Sequence, residues 1–184
     1  MQLHALEQYS CDGIFLHPVI GRKKPGDYNA DIIMKSYELI VGQHYPQDKV
    51  LLSPFHYYSQ YSGPREAVFS ALCRKNFGCS HFIVGRDHTG VGRYYMPDES
   101  QKLFGYLGNI GIKPIFYGEI NYCNICEKYL ESCVHKDAKT SNISGTEARK
   151  IFKTGRVPPD WFMRPEISEL VLEEIKMGST VFVE

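Results

Sequence analysis

The stretch His81-Phe-Ile-Val-Gly-Arg-Asp-His-Thr-Gly-Val-Gly92 joins a short apolar run to a polar turn that glycines bound on both sides. The apolar, β-branched run predicts a buried strand, and open α/β folds bind ligands at the carboxyl ends of such strands. Arg86, Asp87 and His88 follow at that end, and a guanidinium with backbone N–H groups suits phosphate oxygens. The stretch therefore predicts a polyphosphate site. The alternative is a structural loop in which Arg86 and Asp87 form only an exposed ion pair.

Segments on either side alternate between strand and helix patterns. The strand patterns cover 13–20, 49–54, 81–84 and 113–117, and the helix patterns cover 1–9, 30–41, 66–77, 99–107, 146–153 and 165–177. This alternation predicts an α/β fold with a doubly wound, mostly parallel, Rossmann-like sheet. We expect a nucleotide-binding α/β domain at 1–120, a zinc-binding knuckle at 121–140 and a C-terminal helical subdomain at 141–184.

The first segment is helical, whereas a nucleotide-binding α/β unit normally begins with a strand and a phosphate-binding turn. That strand and turn are not found ahead of the strand pattern at 13–20. We therefore expect the first strand of the sheet to be missing. A partner segment, domain swapping or an altered strand order would then fill the gap.

Composition limits the classes of partner. The chain has 184 residues, 43% of them hydrophobic, with 21 Lys plus Arg and 21 Asp plus Glu. Balanced charge provides no overall field for nucleic acid or an anionic membrane, so we expect neither partner. No apolar run approaches the ~20 residues that span a bilayer. Met1-Gln-Leu-His-Ala-Leu-Glu-Gln8 lacks the pattern of a signal peptide, which predicts a cytoplasmic location.

Three of the six cysteines cluster as Cys123-x2-Cys126-x6-Cys133-x-His135. A Cys-x2-Cys turn directs two sulfurs to one metal ion, and a further Cys and His complete a tetrahedron. The spacing predicts a structural zinc site, because four protein ligands leave no open position for chemistry. The alternative is a group of reduced surface cysteines.

Two further places are candidate nucleotide contacts. Ser144, Thr146 and Arg149 lie at the start of a predicted helix, where amides and a guanidinium bind phosphate; simple N-capping by Ser144 or Thr146 is the alternative. His17 follows an apolar strand and is expected either to contact adenine or to be a core histidine. Trp161 is expected to pack the last helix onto the sheet.

Several strings, in this order and spacing, resemble the catalytic domain of ATP sulfurylase (sulfate adenylyltransferase) over nearly the whole chain. They are His17-Pro-Val-Ile-Gly21 with Lys24-Pro-Gly-Asp27, Gly63-Pro-Arg-Glu-Ala-Val68, Arg74-Lys-Asn-Phe-Gly78, His81-Phe-Ile-Val-Gly-Arg-Asp-His88, Ile143-Ser-Gly-Thr-Glu-Ala-Arg149, and Pro158-Pro-Asp-Trp-Phe162 with Arg164-Pro-Glu166. The resemblance implies a nucleotidylyltransferase sheet and attack of sulfate on the α-phosphorus of MgATP, with pyrophosphate leaving.

The resemblance also implies residue roles. Gly85, Arg86, Asp87 and His88 would contact the nucleotide, with Arg86 and His88 catalytic, and the N–H of Thr89 would face sulfate. The family usually has alanine at the position of Thr89. Some bacterial members carry a similar Cys3His zinc site in the region of the cysteine cluster.

The sequence departs from the family pattern in its sulfate half. The family's Gln-x-Arg-Asn and His-x-x-His motifs are not among the 184 residues, and Gln60 lies where the family tends to carry arginine. Losing one oxyanion donor costs ~3 kcal/mol of transition-state stabilisation, so we expect a partial form with impaired activity alone. Whether the chain is itself an enzyme stays open. Alternatives are a silent, zinc-stabilised nucleotide-binding or assembly subunit, and an adenylyltransferase for another oxyanion. A homo-oligomer or a complementing chain is expected in each case.

Overall fold

The computed structural model describes residues 1–85, 94–96, 98–118, 120–130, 133–135, 140–141 and 143–184. The chain divides into two compact units that interleave along the sequence. The first contains Met1–Phe15 and Ser59–Ile120, and the second contains Leu16–Tyr58 and Asn121–Glu184.

Helices and strands alternate through most of the chain, as the sequence predicts. In chain order they are α1 (Gln2–Gln8), β1 (Ile14–Leu16), α2 (Ala30–His44), β2 (Val50–Leu52), α3 (Pro64–Asn76), β3 (His81–Val84), α4 (Glu99–Leu107), β4 (Lys113–Phe116), β5 (Asn121–Cys123), β6 (Lys128–Leu130), β7 (Thr140–Ser141), α5 (Gly145–Lys153) and α6 (Pro165–Lys176).

In the first unit, β3 and β4 form a parallel pair that packs against two helices. Val84 at the end of β3 lies opposite Phe116 and is only 1% exposed. It joins a core cluster with Ala67 and Ala71 of α3, and with Phe104 of α4. The small alanines let α3 approach closely, so the carboxyl end of β3 is fixed by apolar packing on one face.

The second unit has its own core around α2, α5 and α6. Ile32, Phe152 and Val171 are buried together in this cluster. Asn29 starts α2 by accepting the N–H of Ile32 through its side-chain oxygen at 2.9 Å, which satisfies a donor that the helix leaves unpaired. In the same unit the end of β1 pairs with β2, where the N–H of Ser53 donates to the carbonyl of Leu16 at 3.0 Å.

The α/β class and its parallel strands are confirmed, but the described strands form three small sheets. Their orders are β1-β2, β3-β4 and β6-β5-β7. Pro18 and Pro54 lie two residues beyond β1 and β2, and proline has no N–H to extend a ladder, so both strands stay short. A single doubly wound sheet and the three predicted domain ranges stay predictions.

Within the described part of the chain, no helix is both long enough and apolar enough to cross a membrane.

Candidate functional site

The predicted metal ligands meet in one cluster in the second unit. Atoms of Cys123, Cys126, Cys133 and His135 that can bind a metal all lie within 4.8 Å of one another. Cys126 Sγ is 3.5 Å from Cys133 Sγ and 3.4 Å from His135 Nδ1, and Cys133 Sγ is 3.6 Å from Cys123 Sγ. A tetrahedron with ligand bonds of about 2.3 Å has edges of about 3.8 Å, so the cluster can hold a metal ion.

Hydrogen bonds shift the pKa values of two of these thiols in opposite directions. The N–H of Cys126 donates to Cys123 Sγ at 3.5 Å, and this bond is the main cause that lowers the pKa of Cys123 to about 6. Hydrogen bonding to Cys133, and then to Cys123, raises the pKa of Cys126 to about 11. A metal-free cluster at neutral pH therefore holds one thiolate beside a protonated thiol, and binding a metal must release protons.

A small antiparallel sheet supports the cluster. Strand β5 pairs with both β6 and β7, and Glu127 takes a positive φ of +51° in the turn between β5 and β6. Tyr122 of β5 stacks on Trp161 at 6.0 Å, and the Tyr129 hydroxyl donates to the carbonyl of Trp161. Trp161 thus packs against the small sheet of β5, β6 and β7. The sequence predicted that Trp161 packs the last helix onto the sheet, which stays a prediction.

The predicted polyphosphate site begins at the end of β3. The N–H of Tyr117 donates to the carbonyl of Val84 at 3.2 Å, which continues the parallel ladder to the last residue of β3. Gly85 follows at the carboxyl edge, where the sequence placed it. Arg86, Asp87, His88 and Thr89 lie outside the described residues, so their predicted roles stay predictions.

Ser144 caps α5, which was one of the two roles predicted for it. Its side-chain oxygen accepts the N–H of Glu147 at 3.2 Å, and the Ser144 N–H donates to Glu147 Oε2 at 2.7 Å. The hydrogen bond from the Ser144 N–H is the main cause that lowers the pKa of Glu147. The resulting capping box satisfies two backbone donors, so the hydroxyl of Ser144 is already engaged in the helix start.

Thr146 and Arg149 come together one helical turn apart. Arg149 Nη2 donates to Thr146 Oγ1 at 3.0 Å, and Arg149 Nη1 lies 4.0 Å from Asp27 Oδ1. Half-burial lowers the pKa of Lys23, and the nearby charge of Asp27 partly opposes this shift. The carboxylate of Asp27 is therefore close enough to interact with the charges of both Lys23 and Arg149.

The ring of His17 packs 4.6 Å from the ring of Phe55, which itself stacks on Tyr57 at 5.5 Å. The side chain of His17 is half-buried, and both of its predicted roles, adenine contact and core histidine, stay predictions. Gly21 lies beside the same segment, and a Cβ on it would lie 2.0 Å from the carbonyl oxygen of Tyr57. Only glycine fits this close backbone approach.

The side chain of Glu66, in the first turn of α3, is directed to the loop that precedes the helix. It is 3% exposed and accepts the Ser59 hydroxyl, the N–H of Gln60 at 3.3 Å and the N–H of Ser62 at 2.9 Å. The signal was available, because an acidic side chain in the first turn of a helix commonly accepts preceding N–H groups.

The family model described as ATP-sulfurylase matches residues 1–174. The chain belongs to the ATP-sulfurylase family. Among curated relatives, the sulfate adenylyltransferases of Ignicoccus hospitalis and Staphylothermus marinus are each 45% identical over 163 residues, which are 88% of this chain and 43% of theirs. That of Pyrococcus abyssi is 45% identical over 162 residues, 87% of this chain and 43% of its own. The chain thus spans less than half the length of these relatives.

The fold of this ATP-sulfurylase-family chain also has a solved counterpart. It matches the hexameric APS kinase from Thiobacillus denitrificans with a TM-score of 0.66 and 20% identity, over 96% of this chain and 33% of that one. At this identity the likeness shows the fold alone. It is consistent with the α/β arrangement and with the parallel pair at β3 and β4.

Proposed function

We propose that this chain carries the nucleotide-binding half of a sulfate adenylyltransferase site. In that reaction a sulfate oxygen attacks the α-phosphorus of ATP, the bond from the α-phosphorus to the bridging oxygen breaks, and pyrophosphate leaves. The observation that carries the proposal is the family match over residues 1–174. Both reactants are anions, so catalysis rests on neutralising charge and aligning the groups.

The loop after β3 would bind the triphosphate. Arg86 and the backbone N–H groups beside Gly85 would neutralise phosphate oxygens, and Asp87 and His88 would complete the nucleotide contacts. Arg86 and His88 would act at the reacting phosphate, and the N–H of Thr89 would donate to sulfate. Support comes from β3, whose parallel pairing with β4 places Gly85 at the edge where α/β sheets bind ligands.

The start of α5 would supply a second set of contacts. Thr146 and Arg149 already lie within hydrogen-bonding distance of each other, and a phosphate would accept from the guanidinium and from helix N–H groups. Ser144 would contribute through its backbone and through its role as the N-cap residue of α5. The ring of His17 would contact the adenine. Magnesium would accompany ATP and neutralise part of the negative charge of its phosphates.

The Cys3His cluster would hold structural zinc. Three thiolates and one imidazole are the donors that zinc prefers, and the ligand spacing fits a closed tetrahedron. The ion would tie the end of β5 and the turn after it to the segment at 133–135. Tyr122 of the same strand stacks on Trp161.

A second candidate is a nucleotide-binding or assembly subunit that acts with a complementing chain or as a homo-oligomer in the cytoplasm. It is favoured because Gln60 lies where the family tends to carry arginine, so one positive charge is missing near the proposed sulfate site. A third is an adenylyltransferase for a different oxyanion, since Thr89 and Gln60 differ from the family pattern.

Pyrophosphate release separates the candidates. The 184-residue chain is incubated with MgATP and sulfate, molybdate or phosphate, and calorimetry measures ATP binding in parallel. We expect saturable ATP binding with little turnover, rising when a chain with the two missing motifs is added. Fast sulfate-dependent turnover by the chain alone would contradict impaired activity, and absent ATP binding would contradict the nucleotide site.

A further inference from the structure

The proposed ATP-binding loop at 86–93 is called the nucleotide loop below. The segment at 94–96 follows it in sequence, and the ring of Tyr95 in this segment contacts Gly63. A Cβ on Gly63 would lie 2.4 Å from Cδ2 and 2.7 Å from Cε2 of Tyr95, so this ring occupies the space beside the glycine. Tyr95 is 37% exposed, whereas its neighbour Tyr94 is 84% exposed. The two adjacent tyrosines therefore differ in burial.

Gly63 holds a backbone conformation that other residues do not adopt. Its φ of +53° and ψ of −120° lie where a Cβ would collide with its own backbone, and the Tyr95 ring adds a second collision. The residue therefore combines a turn with a docking surface for the ring. Both features occur directly before α3, which begins at Pro64.

The loop that ends at Gly63 is fixed by the buried carboxylate of Glu66. Its two oxygens accept the N–H groups of Gln60 and Ser62, with the Ser59 hydroxyl as a third donor. Tyr61 between them has a positive φ of +52°. A charged acceptor with three donors stabilises this conformation more than neutral hydrogen bonds would.

The far side of the tyrosine segment is also attached. The N–H of Met96 donates to Glu99 Oε1 at 3.0 Å, and the N–H of Glu99 donates back to the carbonyl of Met96 at 3.1 Å. Helix α4 itself packs on α3 through Phe104 and the alanines. Both ends of the stretch from Gly85 to Tyr94 thus connect to the same core, through β3 on one side and Tyr95 on the other.

We propose that Glu66 and Tyr95 are positioning residues for the nucleotide loop: the Glu66 carboxylate fixes Gly63, and the Tyr95 ring docked on Gly63 fixes where the loop ends. This inference rests on the proposed function, because it takes the loop between them to bind ATP. Neither side chain needs to touch the nucleotide. We call the Tyr95–Gly63 contact and the Glu66 hydrogen bonds together the anchor. Removing the anchor lowers the fraction of chains that are competent to bind ATP, and the apparent ATP affinity falls by that fraction.

The test measures ATP affinity and thermal stability of the chain for Tyr95→Ala, Tyr95→Phe and Tyr94→Ala. We expect Tyr95→Ala to raise the ATP Kd about tenfold, as it would if a tenth of the chains remained competent to bind ATP. Tyr95→Phe keeps the ring that meets Gly63, and Tyr94→Ala removes the exposed neighbour. Both controls should stay within about twofold of the wild type, with melting temperatures close to it.

A double-mutant cycle with Glu66→Gln tests whether both residues act through one anchor. The combined Glu66→Gln and Tyr95→Ala variant should weaken ATP binding no more than the stronger single variant, since either change releases the same loop end. Additive losses, or an unchanged Kd for Tyr95→Ala, would overturn the inference. Arg86→Ala runs beside these variants: if it loses ATP binding and Tyr95→Ala does not, only the anchor fails. Unchanged affinity in Arg86→Ala overturns the nucleotide site and the anchor together.

Discussion

The metal cluster and the nucleotide site differ in how far apart along the chain their residues lie. The cluster draws its ligands from 13 consecutive positions, 123–135, and all four ligand atoms lie within 4.8 Å of one another. The nucleotide residues are predicted from three separate strings. These strings contain His17, Gly85 and Arg149, which lie far apart along the chain. A site built from local spacing can be identified from sequence geometry alone, and a dispersed site needs the fold.

Removing the metal is expected to have the largest effect. Structural zinc sites contribute about 10–16 kcal/mol of binding free energy in small domains, so a chelator should disorder the sheet of β5, β6 and β7. Trp161 fluorescence should change because the indole stacks on Tyr122 of that sheet. Metal analysis should find zinc in the wild type and in Cys73→Ser, and none in Cys126→Ser.

The same site has a defined pH dependence. Zinc must displace the proton that the raised pKa of Cys126, about 11, keeps on its thiol at neutral pH. Zinc affinity should therefore rise with pH, and each binding event should release protons that a weakly buffered titration detects. A folded chain without zinc, or binding with no proton release, would contradict the proposed ligand set.

Replacing Arg86 should give the next largest effect. Truncating one partner of a buried charged hydrogen bond costs about 2–5 kcal/mol, so Arg86→Ala should raise the ATP Kd by at least about 30-fold. Calorimetry checks this, with Arg156→Ala as a control on an exposed arginine of the second unit. Equal ATP affinities of the wild type, Arg86→Ala and Arg156→Ala would mean that the triphosphate binds elsewhere.

Arg149→Ala tests the nucleotide contacts proposed at the start of α5. We expect about a tenfold rise in ATP Kd, or about 1.4 kcal/mol, because one charge-assisted contact is lost. Lys150→Ala removes a neighbouring exposed cation from the same helix and should change little. If both variants bind ATP as the wild type does, the nucleotide contacts lie in the first unit only.

Ser144→Ala should lower the free energy of unfolding by about 1 kcal/mol, since it removes the oxygen that accepts the N–H of Glu147. Ser144→Asp keeps an N-cap acceptor and should recover most of this loss. Denaturant titration of the three proteins measures the difference. A stable Ser144→Ala variant with weakened ATP binding would instead favour a direct phosphate contact for the hydroxyl.

The smallest expected effect is a loss of stability at acid pH. It arises from the contact between Glu166 of α6 and His44 of α2. Hydrogen bonding to its own backbone N–H, and then to His44, lowers the pKa of Glu166 below its ordinary value of 4.5. This carboxylate therefore stabilises the fold above about pH 4.5, and the contribution is lost as the pH falls through the lowered pKa. The melting-temperature difference between wild type and Glu166→Gln should shrink below pH 4.5. Glu169→Gln, an exposed change on the same helix, should show no such trend.

Local patterns predicted most elements because they depend on near neighbours. The glycine at position 78 and the proline at 64 bracket α3 as expected, and the run His81–Val84 is the strand that its β-branched residues predicted. The cysteine spacing predicted the ligand cluster for the same reason. The pairing of the strands was harder to predict. The prolines beyond β1 and β2 limit the hydrogen-bonded ladders of these strands, and a run of apolar residues does not show this limit.

Long-range packing and buried charge were the parts that the sequence did not indicate. Trp161 stacks on Tyr122, a contact across 39 positions that no periodicity predicts. Glu66 lies within seven residues of its partners, yet it is buried only because the loop at 59–62 folds back onto the start of α3. Its place in the first turn of α3 indicated an acceptor of N–H groups, but its burial and its partners emerged only from the fold.

The most direct measurement is a crystal structure of the chain with magnesium and a non-hydrolysable ATP analogue. The account predicts a triphosphate at the carboxyl end of β3, with the Arg86 guanidinium and the N–H groups after Gly85 donating to its oxygens. A triphosphate bound away from Gly85, or a loop whose Arg86 is packed against other side chains while the analogue binds elsewhere, would contradict it.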